Sequence, residues 1–152
     1  MNLSDQDKTI LREIQQAADV SLATLSERLG MAQSTVWRRM NDLATAGVIR
    51  RRVALLDPAK VGANLCVLAQ ITLEDHSEEI VQGFAGMVER LPEILECHKI
   101  SGDADYILKV RVADVADYED FQTRHLLRSP WVRSVRSSFV LKEVKATTEL
   151  PL

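Results

Sequence analysis

The stretch from Ala23 to Ala46, ATLSERLGMAQSTVWRRMNDLATA, constrains the fold more than any other part of the chain. Leu25 and Leu29 mark the apolar side of one short helix. Val36, Met40 and Leu43 recur at helical spacing and mark the buried side of a second. Gly30 stands between them, where a helix end often calls for a left-handed residue, a conformation glycine adopts at least cost. This spacing predicts two helices joined by a tight turn. It leaves Gln33, Ser34, Thr35, Trp37, Arg38 and Arg39 facing outward from the first turns of the second helix. A surface of that composition suits base edges in a major groove. An ordinary helical hairpin with a solvated face uses the same spacing, so the pattern by itself leaves both readings open.

A hairpin of this size buries too little surface to stand alone. The residues before it supply a third helix, from about Asp5 to Ala18, with Ile10, Leu11, Ile14 and Ala18 as its apolar stripe. Ser4 with Asp7 three residues on resembles a capping box, with Asp in place of the usual Glu or Gln. Gly47 ends the third helical pattern. After it, residues 48–57, VIRRRVALLD, read as a short strand or wing whose Arg50, Arg51 and Arg52 reach a phosphate backbone, or as a solvated basic loop. Asp57-Pro58 then breaks the pattern. The expected organisation is a DNA-binding domain over residues 1–56, a linker over 57–64 and a second domain over 65–152.

The net charge of −3 hides an uneven distribution. Residues 1–56 carry eight Lys and Arg against six Asp and Glu, a net of +2, which leaves −5 for the remainder. Local charge, rather than the total, sets the attraction to phosphates. No apolar run approaches the roughly 20 residues that span a bilayer. The opening MNLSDQDKTI lacks the basic and apolar segments of a secretory signal, so a cytoplasmic protein without a membrane partner is expected. Cys66 and Cys97 fall in strand-like segments with no metal-ligand spacing and read as free, buried thiols in a reducing cytosol.

From residue 65 the period changes. Leu65, Val67, Ala69, Ile71 and Leu73 alternate as a strand does. Ile80, Phe84, Met87, Val88 and Leu91 mark a helix stopped before Pro92. Residues 94–100 and 106–112 read as two strands around the turn SGDAD, residues 101–105. A second helix follows from about Val115 to Arg128, then a last strand with Val135, Phe139 and Leu141. The order β-α-β-β-α-β is the ferredoxin-like arrangement, giving an α+β chain. Its helices cover one sheet face. Cys66 and Leu68 point to the other, which suits a second copy related by two-fold symmetry.

Taken together, LSDQDKTILREIQ, AQSTVWRRMNDLATAGVI, VALLDPAKVG, SGDADYIL and SSFVLKEVKATTELPL resemble the Lrp/AsnC family, the feast/famine regulators. The resemblance covers nearly the whole chain. It implies a winged helix-turn-helix joined to an amino-acid-sensing RAM domain, in dimers that often assemble into octamers. It implies double-stranded DNA as a partner and a small amino acid as effector, with no cofactor or metal. The chain departs from its relatives at Ala32, where they often carry a capping Ser. It departs again at Asn41-Asp42-Leu43-Ala44, where they often carry Lys-Arg-Leu-Glu. The first departure removes a cap worth about 1 kcal/mol; the second removes phosphate contacts that either Arg50, Arg51 and Arg52 or several subunits binding at once can replace.

Arg38 and Arg39 point about 100° apart on a helix, so at most one enters the groove deeply and the other holds phosphate. Trp37 either touches a thymine methyl or packs on the wing. Asp103 and Asp105 fit a metal or acid/base pair, a hairpin turn, or an effector site. The resemblance favours the last, with Ser101, Gly102, Asp103, Ala104 and Asp105 approaching the ligand and Thr147 and Thr148 adding hydroxyls. His76, His98 and His125 lie beside no nucleophile in a known motif, so the chain is not expected to be an enzyme. The expected function is a transcriptional regulator of amino-acid metabolism genes. The rivals are an architectural, nucleoid-associated DNA-binding protein and, from another class, a dimeric α+β-barrel enzyme, which has no use for the first 56 residues.

Overall fold

The computed structural model describes residues 3–152, which divide into two compact units. The first comprises the chain up to Leu55 together with Lys145–Leu152, and the second comprises Leu56–Val144.

In the first unit, α1 (Asp5–Gln16) begins at Ser4 with the predicted capping box: each residue's side chain bonds the other's backbone N–H. The helix is two residues shorter than its apolar stripe suggests, because the backbone leaves helical angles at Ala17. α2 (Leu22–Leu29) is capped by the Ser21 hydroxyl and ends at Gly30, whose φ of 60° is the left-handed stop expected there. α3 (Gln33–Thr45) starts at Ala32 without any side-chain cap. Ile10, Leu11, Leu25, Val36 and Leu43 are buried and form the centre of the three-helix unit. The C-terminal residues complete it. The Gln15 side-chain amide exchanges two hydrogen bonds with the Leu150 backbone (2.6 and 3.2 Å), and Arg12 Nε donates to the Leu152 carbonyl (2.9 Å). Residues 145–152, expected in the second domain, thus belong to the first unit.

The strand expected within residues 48–57 is absent. Val48 and Ile49 donate their N–H groups to the Leu43 carbonyl, closing off α3, and the chain then runs extended. A ladder needs a second strand, and the described residues of this unit supply none.

In the second unit a 3-10 turn (Pro58–Val61) precedes β1 (Leu65–Leu73), α4 (Glu78–Arg90), β2 (Ile94–Lys99), β3 (Tyr106–Val112), α5 (Val115–Phe121) and β4 (Val132–Phe139). Gln122–Leu127 continues α5 as a π-helical stretch where a uniform helix was expected. The sheet order is β2-β3-β1-β4, antiparallel throughout, which is the ferredoxin-like arrangement. Val67, Ala69, Ile71 and Leu73 from β1 pack with Leu108 and Val110 from β3 against Phe84, Met87, Tyr118 and Phe121 of the helices. Burying each large side chain contributes about 1.5–3 kcal/mol. Leu141, expected in the last strand, lies beyond it and is almost fully exposed. β4 ends at Phe139, and Val140 makes the final bond, to the Cys66 carbonyl.

The uncovered sheet face carries Leu68, Gln70 and Thr72 from β1 between Ile107, Lys109 and Arg111 of β3 and Ser134, Arg136 and Ser138 of β4. Lys109 pairs with Glu96 (3.1 Å) and Arg111 with Glu143 (3.4 Å). Leu68 is exposed and Cys66 buried, so the apolar part of this face is Leu68 with Ile107 amid polar neighbours; Cys97, expected to be buried, is exposed on β2.

Candidate nucleic-acid interface and effector turn

α3 owes its outward face to the burial of Val36 and Leu43 on its other side. Gln33, Ser34, Trp37 and Arg38 are exposed, and Thr35 is half-buried. Trp37 is 59% exposed and shares with Met40, Ile49 and the three arginines 50–52 the lining of a groove of about 530 Å³. Arg50, Arg51 and Arg52 are all exposed. Arg38 makes one loose contact, to Asp42 one turn on (3.7 Å), with both side chains largely in solvent. A pair so exposed contributes little and leaves the guanidinium available.

Arg39 departs from the expected outward arrangement. Its guanidinium turns back onto the first turn of α1, where Nη1 donates to Asp7 Oδ1 (2.8 Å) and Ser4 Oγ (3.3 Å) and Nη2 donates to Gln6 Oε1 (2.6 Å). Asp7 is the buried charged residue of the unit, and its carboxyl is held below the usual aspartate range by the Ser4 hydroxyl, the Ser4 N–H and Arg39. The 100° turn between adjacent helical positions separates the fates of Arg38 and Arg39.

The SGDAD turn is divided in the same way. Asp105 is committed to the fold: its carboxylate accepts the Leu73 N–H (2.8 Å) and contacts His76 Nε2 (2.7 Å), while its own N–H donates to the Ile71 carbonyl (2.9 Å). His76 foremost, then the Leu73 N–H, lowers its pKa. Asp105 is therefore a clamp at the end of β1 rather than an open acceptor. Asp103 is exposed and free of such bonds, and it lines a small cavity of about 40 Å³ with Gln70, Thr72, Ala104, Ser134 and Arg136. Ser101 and Gly102 are exposed, with Gly102 at a φ of 118°. Thr147 and Thr148 lie in the C-terminal segment that groups with the first unit. Thr147 Oγ1 there accepts the Glu149 N–H.

Gln70, Thr72, Ser134 and Arg136 were not singled out from sequence. Their signal is the strand register, which pairs Gln70 with Arg136 and Thr72 with Ser134 across β1 and β4. Alternation alone places such residues on a face without saying which are neighbours.

Two families match the two halves of the chain: winged helix-turn-helix DNA-binding over residues 3–50, and the Lrp/AsnC ligand binding domain over residues 66–150. The glutamate uptake regulatory protein of Zymomonas mobilis is 36% identical over 150 residues, covering 99% of this chain and 91% of that protein. The leucine-responsive regulatory protein of Escherichia coli is 38% identical over 144 residues, covering 95% and 88%. A transcriptional regulator of Neisseria meningitidis, solved as a complex with L-Met, superposes with a TM-score of 0.95 at 33% identity, covering 99% and 97%. An N-terminal helix-turn-helix, a four-stranded antiparallel sheet backed by two helices and these matches place the chain in the Lrp/AsnC family of DNA-binding transcriptional regulators.

Proposed function

We propose that the outer face of α3 reads base edges in double-stranded DNA through Gln33, Ser34, Thr35, Trp37 and Arg38, while Arg50, Arg51 and Arg52 hold phosphates beside it. The observation that carries this reading is the exposed Arg38 on the same unit as three consecutive exposed arginines, which line one groove with Trp37, the residue before Arg38. Arg39 is left out of the contacts, because Asp7 and Gln6 already occupy its fork. The protein acts in the cytoplasm at the nucleoid, as a two-fold dimer or a larger assembly on a pseudo-palindromic site. The test is a gel shift with a duplex selected from random DNA by the wild-type protein and a scrambled duplex of equal composition. Arg38→Ala should cost about 1–3 kcal/mol on the selected duplex. Arg51→Ala should weaken both duplexes alike and flatten the salt dependence. Wild-type binding by both variants contradicts the reading.

A free amino acid is the proposed effector, bound against the turn at Ser101, Gly102, Asp103 and Ala104. An amino acid needs an acceptor for its ammonium and donors for its carboxylate. Asp103 and Arg136 line one cavity and supply both. That cavity is small and half-open, which supports a site completed by a second copy packed against the same sheet face. The Neisseria relative solved with L-Met and the leucine-responsive relative of E. coli support the ligand class. Regulation then requires the ligand to favour one assembly state over another. The genes controlled are expected to be those of amino-acid metabolism.

A further inference from the structure

The inward arginine of α3 has the geometry of a device for aiming the helix. α3 begins at Ala32 with no side-chain cap, so its first turn is held by backbone bonds to Ala32 and by the buried Val36, without a polar side-chain anchor at its start. Its one fork-shaped side chain on the inner side, Arg39, reaches residues Ser4, Gln6 and Asp7, more than thirty positions away in sequence. All three acceptors sit at the N-terminus of α1, and Asp7 is at the same time half of the capping box that starts that helix. The Arg39 side chain is 24% exposed and that of Asp7 9%, against 64% for Arg38. A guanidinium spread over several acceptors fixes direction as well as distance, which an ammonium does not.

We propose that Arg39 is a positioning residue for DNA recognition: latched onto Asp7, Gln6 and Ser4, it sets the rotation of α3 about its axis and so aims Ser34, Trp37 and Arg38 outward. Each residue on a helix is turned about 100° from the next, so a small rotation of α3 moves Arg38 off a base edge. The latch makes no contact with phosphate. It rests on α3 being the reading helix, as proposed above, and the two can fail separately.

The experiment measures the affinity of the full chain for the wild-type-selected duplex and for its scrambled counterpart across a salt series. Asp7→Asn and Arg39→Gln should each weaken the selected duplex about tenfold. Affinity for the scrambled duplex and the slope of log K against log salt should stay at wild-type values, because no counterion-releasing contact is lost. The double variant should lose no more than either single, since the pair acts as one unit. Thermal melting of each variant checks folding. Should Arg39→Gln unfold at the assay temperature, Arg39→Lys keeps the charge opposite Asp7 without the fork and should still lose selected binding severalfold at an unchanged slope. A slope reduced by about one in Arg39→Gln, with wild-type affinity in Asp7→Asn, overturns the latch and makes Arg39 a phosphate contact. Arg38→Gln in the same series reports on α3 itself. Loss there with none in Asp7→Asn overturns the latch alone, and wild-type binding in both overturns both proposals.

Discussion

Asp7 is buried, charged and shared between a helix cap and Arg39, which makes the DNA-binding unit sensitive to acid. The Ser4 hydroxyl, the Ser4 N–H and Arg39 all favour its ionised form, so its folded pKa lies below the unfolded value of about 3.9. The sign follows: its stabilisation is fully present above about pH 4 and is lost as pH falls through the lowered folded value. The melting temperatures of wild type and Asp7→Asn should therefore differ by a constant amount from pH 7 to 5 and converge below about pH 4; a gap that is the same at pH 3 contradicts this. Asp105 makes a second residue-scale case. Asp105→Ala strands the Leu73 N–H and should cost about 1–3 kcal/mol of stability in urea unfolding. Much of this was legible in the chain itself. The Ser4–Asp7 box and the Gly30 stop depend on neighbours in sequence and came out as expected. The commitments of Arg39 and Asp105 depend on partners about thirty residues away, Asp7 and Leu73, and no spacing rule exposes those.

Elements were readable where their period is local, and failed where they need a distant partner. All three N-terminal helices, both covering helices and all four strands of the sheet lie where apolar spacing put them. The strand expected around Arg50–Arg52 is missing because a strand exists only as half of a pair. The last strand, expected to include Leu141, stops at Phe139, and Leu141 is left in solvent. The π-helical widening of Gln122–Leu127 has no sequence signature that we can name. α4 carries a tighter constraint. A Cβ on Gly83 would collide with the indole of Trp131, which packs directly on the helix backbone. Gly83→Ala should destabilise the second unit by about 1–3 kcal/mol despite the better helix propensity of alanine, as read by thermal melting. An unchanged or raised melting temperature would mean that Trp131 moves aside freely. At the start of α3 the effect runs the other way. Ala32→Ser supplies the missing cap and should stabilise the first unit by about 1 kcal/mol.

For the whole molecule, the chain leaves the first unit after Leu55, builds the sheet and returns to α1 with its last eight residues. Gln15 and Arg12 hold that returning tail through bonds to its backbone, so removing residues 147–152 should lower the melting temperature of the three-helix unit, whereas side-chain changes at Thr147 or Thr148 should not. The uncovered sheet face is the proposed dimer surface. Leu68→Glu, which sets a carboxylate amid that face, should shift the protein toward monomer in analytical ultracentrifugation. Family membership was legible from five short segments spread over both units; the proposed effector site was legible only as a turn, because the cavity beside that turn also takes residues from β1 and β4 that only the strand register brings together. The account centres on DNA binding that responds to a free amino acid through Asp103. Its most direct test is a gel-shift titration of the full chain on its selected duplex, with each of the twenty amino acids in turn. The account predicts that at least one amino acid changes the apparent Kd severalfold and that Asp103→Asn abolishes the change while binding the duplex normally without ligand. Identical titration curves with all twenty, or an undiminished response in Asp103→Asn, would contradict it.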